Sequence, residues 1–456
     1  MSQRSKSKSN LFSDKEYFRK LFTLALPIAF QQLMLASVAA GDSIMLGRLN
    51  QNAMSAVSLA TQVQFVQNLF LFGFAEAALI LGAQYWGKGN KKAIRDIFCT
   101  MLKISIIVSF AFFGACELIP EKLMWLFTSE PELIEIGTSY LRIAGWSYLL
   151  TGISQSYLTI MKVSDHATTS SVISTTSVVL NIVLNAVFIF GLLGAESMGA
   201  DGAALATLIA RIVEVLLCIF ISCGKTYIRP GINAFFHGDK LLTKDFYRNL
   251  APLLGAAILW GVGFTSYTSA MGHLGTDATA ANAVAAVVRD LMCCLCNGVA
   301  NAGGIIVGNE LGRAELEKGK SYGIKTAIMS VIIGVLCCII IIALTPLVLD
   351  FMVLTEQASA YLSGIMIIMG IYMIGRCMNT VIINGIFASG GDTMFDVYSL
   401  IVCMWGISVP FAFLGVFVFH WSPYLVYTFT VLDEMVKIPW VVYHFRKYKW
   451  VKDLTR

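Results

Sequence analysis

Long apolar stretches follow one another along this chain, with polar residues confined to short gaps, from the first proline to the C-terminus. Crossing about 30 Å of hydrocarbon takes roughly 20 helical residues at 1.5 Å each. Twelve stretches meet that length, over residues 20–46, 56–83, 97–117, 135–160, 168–193, 201–222, 247–271, 278–306, 326–349, 358–386, 396–419 and 422–444. They hold Gly and Ser internally and show no strict polar/apolar alternation, so they read as helices rather than outer-membrane strands. The expected fold is an all-α integral membrane protein with twelve transmembrane helices.

The pattern also repeats. Aligning Pro27 with Pro252 gives a displacement of 252 − 27 = 225, which runs without a gap into Ser43/Thr268, Gly47/Gly272, Ala53/Ala278 and Gly87/Gly312. Six spans return the chain to its starting side, so the halves share one orientation and are related by an axis along the membrane normal. The expected divisions are a disordered tail at 1–16, an N-lobe at 17–223, a linker at 224–246, a C-lobe at 247–446 and a C-terminal tail at 447–456. Two such six-helix bundles facing each other around a cleft suit alternating access better than a channel or an inert bundle.

Composition agrees with the pattern: 57% of residues are hydrophobic and 13% charged, against about 25% charged in soluble domains. The basic residues cluster in the N-terminal stretch, in "GKGNKKAIRD", in the central loop "GKTYIRPGINAFFHGDKLLTKDFYR", in "GRAELEKGKSYGIK" and at the end "HFRKYKWVKDLTR". All lie on one side of an even-numbered topology, which places both termini in the cytoplasm of a cell whose inner membrane the chain spans. The net charge of +5 needs only the anionic inner leaflet as a partner, and nucleic acid is not expected. The eleven cysteines fall almost entirely within spans and imply no disulfide framework. The C-x-x-C of "CCLC" at 293–296 lacks a histidine nearby and reads as small apolar side chains. No hydrolase or metalloprotease motif occurs and the five histidines sit at helix ends or in loops, so no enzyme activity and no cofactor are expected. A monomer is expected.

The polar groups within the spans carry the functional question. Arg211 and Glu214 are three residues apart and Asp433 and Lys437 four apart, so each pair can neutralise itself on one helix face. Asp42, in "MLASVAAGDSIMLGRLN", has no cation on its own helix short of Arg48. A carboxylate in hydrocarbon is costly and tends to protonate or to bind a cation. At 1.5 Å per residue, Asp42 lies roughly 8 Å below the outer end of its span, Asn185 roughly 12 Å and Thr207 roughly 9 Å, with Asn181 one turn deeper on the face of Asn185. These four oxygen-bearing side chains are expected to meet at one level. Glu76, roughly 30 Å down, lies too deep to join them, and the repeat mate of Asp42 is Tyr267. Arg142 is an alternative, structural partner for Asp42. The candidate lining of a substrate cavity is Arg289, Asp290, Arg376, Asn379 and Gln67. Because Arg289 and Asp290 are adjacent, they are expected to diverge around their helix rather than face one cavity equally.

A series of motifs runs in order along the chain: "LALPIAFQQLM", "GDSIMLGRLNQNAMSAVSLA" with its echo "SAMGHLGTDATAANAVAA", "AQYWGKGNKKA" with its echo "GNELGRAELEKG", "LNIVLNAVFIFG" followed by "GADGAALAT", and "GIFASGGDT". On these, the chain resembles the multidrug and toxic compound extrusion (MATE) transporters over residues 15–450. The resemblance has consequences for fold and site. It implies two lobes forming a V around a central cavity, and export of an organic substrate, often an amphipathic cation, in exchange for H⁺ or Na⁺. It also implies an ion site in one branch at the positions of Asp42, Asn181, Asn185 and Thr207, with Asn185 standing where that branch has an Asp. The acids of the other branch are replaced here by Trp260 and Cys377. The alternative from the same wider superfamily is a flippase for a lipid-linked sugar, which requires a strongly cationic cavity.

Overall fold

A computed structural model describes residues 14–194, 196–352 and 354–455. Among them, twelve long helices build the fold. The first six are α1 Lys15–Leu49, α2 Gln51–Gly87, α3 Lys91–Leu118, α4 Pro131–Val163, α5 Ala167–Phe190 and α6 Gly199–Ser222. The second six are α7 Lys240–Gly272, α8 Thr276–Gly312, α9 Leu316–Phe351, α10 Glu356–Phe387, α11 Met394–Phe417 and α12 Pro423–Arg446. Two of these widen into π-helical winding, α10 over Thr380–Phe387 and α11 over Leu400–Ser408. Ten of the twelve are long and apolar enough to cross a membrane on length and composition. The other two, α4 and α12, carry several polar side chains inward, among them Asp433, Glu434 and Lys437. Outward-facing Ile107, Phe110 and Phe220 are 60–78% exposed, a surface suited to lipid rather than water.

The expected boundaries shift at two places. Helix α1 begins inside the expected tail, because Asp14 caps it by accepting from Tyr17 N at 3.1 Å; residues 1–13 lie outside the described chain. The expected linker holds a short helix, Ile232–His237, and gives way to α7 at Lys240, where Asp239 accepts from Leu241 N and Leu242 N.

The repeat survives to the residue. Helices α7, α8, α9 and α10 begin at 240, 276, 316 and 356, and α1, α2, α3 and α4 begin at 15, 51, 91 and 131, so each pair is displaced by the same 240 − 15 = 225. The two-fold relation is visible where α2 and α8 cross. A Cβ on Gly87 would lie 1.9 Å from Asn309 O, and one on Gly312 would lie 1.9 Å from Gln84 O. Asn309 is the repeat mate of Gln84 and Gly312 that of Gly87. Only glycine lets the two backbones approach so closely, as in other small-residue helix crossings.

This crossing lies at the end of the molecule that carries the basic loops, and the lobes close there. The lower halves of α1 and α7 each cross to the opposite lobe. Tyr17, Leu21 and Ile28 of α1 are buried with Ile305, Ile306 and Tyr322 of α8 and α9. Phe246 and Leu250 of α7 are buried among α2, α3 and α4. Polar contacts reinforce the closure. Tyr17 Oη lies 2.8 Å from Thr326 Oγ1, Lys325 Nζ donates to Asp14, and buried Glu310 is reached by Lys318 at 3.2 Å and Lys20 at 3.9 Å. The Lys325 ammonium holds the Asp14 carboxyl below the usual carboxylate range. A depressed value means the pair contributes fully above about pH 3.9 and is lost only as pH falls through the lower folded value.

Gly87→Ala is expected to cost about 1–3 kcal/mol by forcing the crossing apart, read as a lower thermal midpoint in detergent. Gly114→Ala, whose added Cβ meets nothing within 4 Å, is expected to leave the midpoint unchanged or raise it.

Candidate coupling and cargo sites

Above the closure, a cavity of about 920 Å³ lies between the lobes and is walled by both. Helices α1, α2, α4, α5 and α6 supply one wall, and α7, α8, α10, α11 and α12 the other.

On the N-lobe wall, four side chains join into one hydrogen-bonded chain. Asn185 Nδ2 donates to Asp42 Oδ1 at 2.5 Å and to Asn181 Oδ1 at 3.3 Å. Asn181 Nδ2 donates to Thr207 Oγ1 at 3.1 Å, and the threonine hydroxyl donates to Ala203 O at 3.0 Å. Two asparagines one turn apart on α5 fall on one helix face, which is why a single helix can bridge α1 to α6. Asp42, half-buried, lines the cavity. Among the described residues no Lys or Arg nitrogen lies within 4.0 Å of it, and Arg142 makes no ion pair with it. Among the described residues, buried Asn185 Oδ1 meets no donor. The cluster thus gathers a carboxylate and amide and hydroxyl oxygens, a donor set suited to a proton or a hard cation. Tyr267, the repeat mate of Asp42, faces the same cavity from α7. Glu76 lines the cavity but hydrogen-bonds to none of the four.

On the C-lobe wall, charge is held in pairs. Arg376 Nη1 donates to Glu434 Oε1 at 2.6 Å, and Lys437 Nζ lies 3.2 Å from Asp433 Oδ2 and 3.6 Å from Glu434 Oε1. Arg289 donates through Nε and Nη2 to Asp290 Oδ1 at 3.0 and 2.9 Å. The guanidinium of Arg289 lies 4.5 Å from the Phe264 ring centre and that of Arg376 5.8 Å from the Trp260 ring centre, within cation–π range.

Several expectations are corrected here. Arg289 and Asp290 do not diverge: the long arginine folds along its helix to reach its neighbour, and both line the cavity. Gln67 and Asn379 are not among the cavity-lining residues. Fully buried Gln67 donates to Ser109 Oγ at 3.0 Å and Tyr148 O at 2.8 Å, tying α2 to α3 and α4. Asn379 Nδ2 donates to Glu434 Oε2 at 2.8 Å and Glu434 O at 2.7 Å, and so positions the acid that faces the cavity. Asp433 and Lys437 are not a closed pair on one helix, because Glu434 shares the lysine and recruits Arg376 from α10. Arg211 and Glu214 do pair, at 2.6 Å, and Arg211 also lines the cavity. Sequence reasoning missed Glu434, whose signal was a second acid beside Asp433, three residues before Lys437.

A family profile described as MatE matches residues 27–187 and again residues 252–414. The two matches start 252 − 27 = 225 residues apart, the displacement kept by the helix starts. The chain belongs to the MatE family. It is a multi-pass membrane protein of a transporter family, built from two six-helix lobes. Among curated relatives, it is 20% identical to the "uncharacterized transporter YisQ" of Bacillus subtilis, over 88% of each chain. It is 23% identical to a "probable multidrug resistance protein NorM" of Thermotoga maritima, over 97% of this chain and 95% of that one. Among solved structures, a MOP superfamily transporter from Pyrococcus furiosus superposes with a TM-score of 0.86 at 17% identity, covering 95% of this chain and 96% of that one. A multidrug resistance MATE transporter described in its outward-facing conformation gives 0.84 at 17% identity, covering 94% and 96%.

In this family member the C-lobe cluster is expected to be fragile. Glu434→Gln leaves Arg376 and Lys437 with one acid fewer in the interior, at a cost on the order of 3 kcal/mol. Thermal unfolding in detergent should drop accordingly, while Lys20→Gln, on a lysine more than a third exposed, should change it little.

Proposed function

We propose that this chain is a secondary antiporter that exports organic, amphipathic and cationic small molecules in exchange for H⁺ or Na⁺, with the coupling ion bound at Asp42, Asn181, Asn185 and Thr207. The observation that carries the reading is Asp42 itself: a carboxylate on the cavity wall, hydrogen-bonded to Asn185 and matched by no cation among the described residues. Each cavity arginine, by contrast, has an acid within 3.0 Å.

The basic loops support a closed end in the cytoplasm of a cell whose inner membrane the chain spans, with the cavity facing outward in this conformation. An external proton or Na⁺ then reaches Asp42, neutralises it and removes the cost of holding a bare carboxylate in the lobe. Loading changes what α1, α5 and α6 prefer to pack against, and cargo leaves outward. After reorientation the ion leaves to the cytoplasm and cargo enters from it. Differential ion affinity between the two states supplies the coupling, and linkage makes cargo and ion each weaken the other's binding.

Relatives carrying the name multidrug resistance protein support export of foreign organic molecules. A lipid pyrophosphate fits less well, because the three arginines of the cavity wall are balanced by Asp290, Glu434 and Glu214.

In proteoliposomes with pH and Na⁺ gradients imposed separately, Asp42→Asn is expected to remove gradient-driven dye movement by at least about tenfold, the loss of roughly 1.4 kcal/mol or more of coupling, while the protein stays monodisperse. Undiminished transport would refute the assignment. Asn185→Asp adds a second carboxylate beside the first and is expected to tighten the apparent Na⁺ response about tenfold; an unchanged Na⁺ response would remove Asn185 from the ion site.

A further inference from the structure

Residues 447–455 do not trail from the bundle. After α12 ends at Arg446, Tyr448 takes φ +51°, a left-handed conformation uncommon for a side chain of that size, and turns the chain back beneath the closed end. Lys320 Nζ sits 4.0 Å from the Tyr448 ring centre. Trp450 follows, fully buried. Its seat is cut to fit: a Cβ on Gly323 would lie 2.3 Å from the indole, and one on Gly390 would lie 1.6 Å from Trp450 O. Both glycines belong to the C-lobe, on α9 and in the turn from α10 to α11.

Four residues on, the same segment grips the other lobe. Gln84, buried at the α2/α8 crossing, accepts from Leu454 N at 2.6 Å and donates to Lys452 O at 3.1 Å and to Ser389 O at 2.7 Å. The Leu454 side chain packs on the apolar core formed by α2, α3 and α4, and a Cβ on Gly391 would lie 2.9 Å from it. One amide of α2 therefore holds the C-terminal segment and the α10–α11 turn together, across the seam along which the lobes must part if this end is to open.

We infer that residues 448–455 are a strap that latches the basic-loop end of the cavity shut, anchored in the C-lobe by Trp450 and in the N-lobe by Leu454 and Gln84. Opening at this end requires Gln84 to release the strap and Ser389, so the segment sets the balance between the two facing states without touching ion or cargo. The inference rests on the antiport reading only in needing this end to open.

Amide hydrogen exchange on the full chain in lipid nanodiscs tests it with no gradient or cargo, so its outcome does not depend on whether Asp42 couples transport. In Leu454→Asp, and in a chain ending at Lys449, exchange at 84–91 and 309–316 is expected to accelerate at least about tenfold, with peptides at the far ends of α1 and α2 unchanged. Unaltered exchange at the seam in Leu454→Asp would overturn the strap. So would uniform acceleration everywhere, the mark of a segment that only stabilises the fold. Should the shortened chain fail to fold, Leu454→Asp and Gln84→Leu decide by the same criterion.

Discussion

The crossing of α2 over α8 at Gly87 and Gly312 is the contact about which the lobes are arranged. Two backbones meet there without side chains between them, so the lobes share a hinge-like seam at one end and can diverge toward the other. Small residues permit this approach in a membrane, where packing rather than hydrophobic burial drives helix association. The buried Gln84 beside it would be costly if left unpaired; its hydrogen bonds to Ser389, Lys452 and Leu454 turn that cost into a specification of which segments close together. The seam is thus held closed by polar contacts of known identity.

Most of the cationic side chains around the cavity are held in ion pairs. Arg211, Arg289, Arg376 and Lys437 each have a carboxylate within 3.2 Å, and pairs of this kind inside a protein are expensive to break. They hold the walls in shape. Asp42, Glu76 and Lys162 line the cavity without such a pair among the described residues, and the Asp42 carboxylate is met by the Asn185 amide. An amide dipole stabilises a carboxylate less than an ion pair does.

Much of this was legible in the sequence, for physical reasons that also say where legibility stopped. Twelve spans follow from the length of apolar runs, and the repeat from the spacing of Pro27 and Pro252, because backbone hydrogen bonding in lipid leaves helices little freedom of form. The alignment of Asp42, Asn181, Asn185 and Thr207 came from helical rise alone, since depth is nearly fixed once a span is placed. Rotation about each helix axis is not fixed in this way. Gln67 and Asn379 turned to neighbouring helices instead of the cavity, and Glu434 joined Lys437 to Arg376 across helices that no single-helix pairing rule connects. The packing of Trp450 was invisible for another reason. A basic, polar terminus reads as solvated, and only the glycines at 323 and 390, distant in sequence, show that a seat for it exists.

Helix α1 brings these observations into one argument. Its upper half belongs to the N-lobe through Asp42 and Asn185, and its lower half packs against the C-lobe through Tyr17, Thr326 and the Asp14–Lys325 pair. Between them lies Pro27, which removes one rung of the helix ladder and lowers the cost of bending there. In the proposed antiport cycle, a change of charge at Asp42 alters the packing preference of the upper half, and the lower half is bonded across the seam. Asp42 and the closure are two ends of one element, joined at a weakened point, so that cycle needs no longer chain of intermediaries between them.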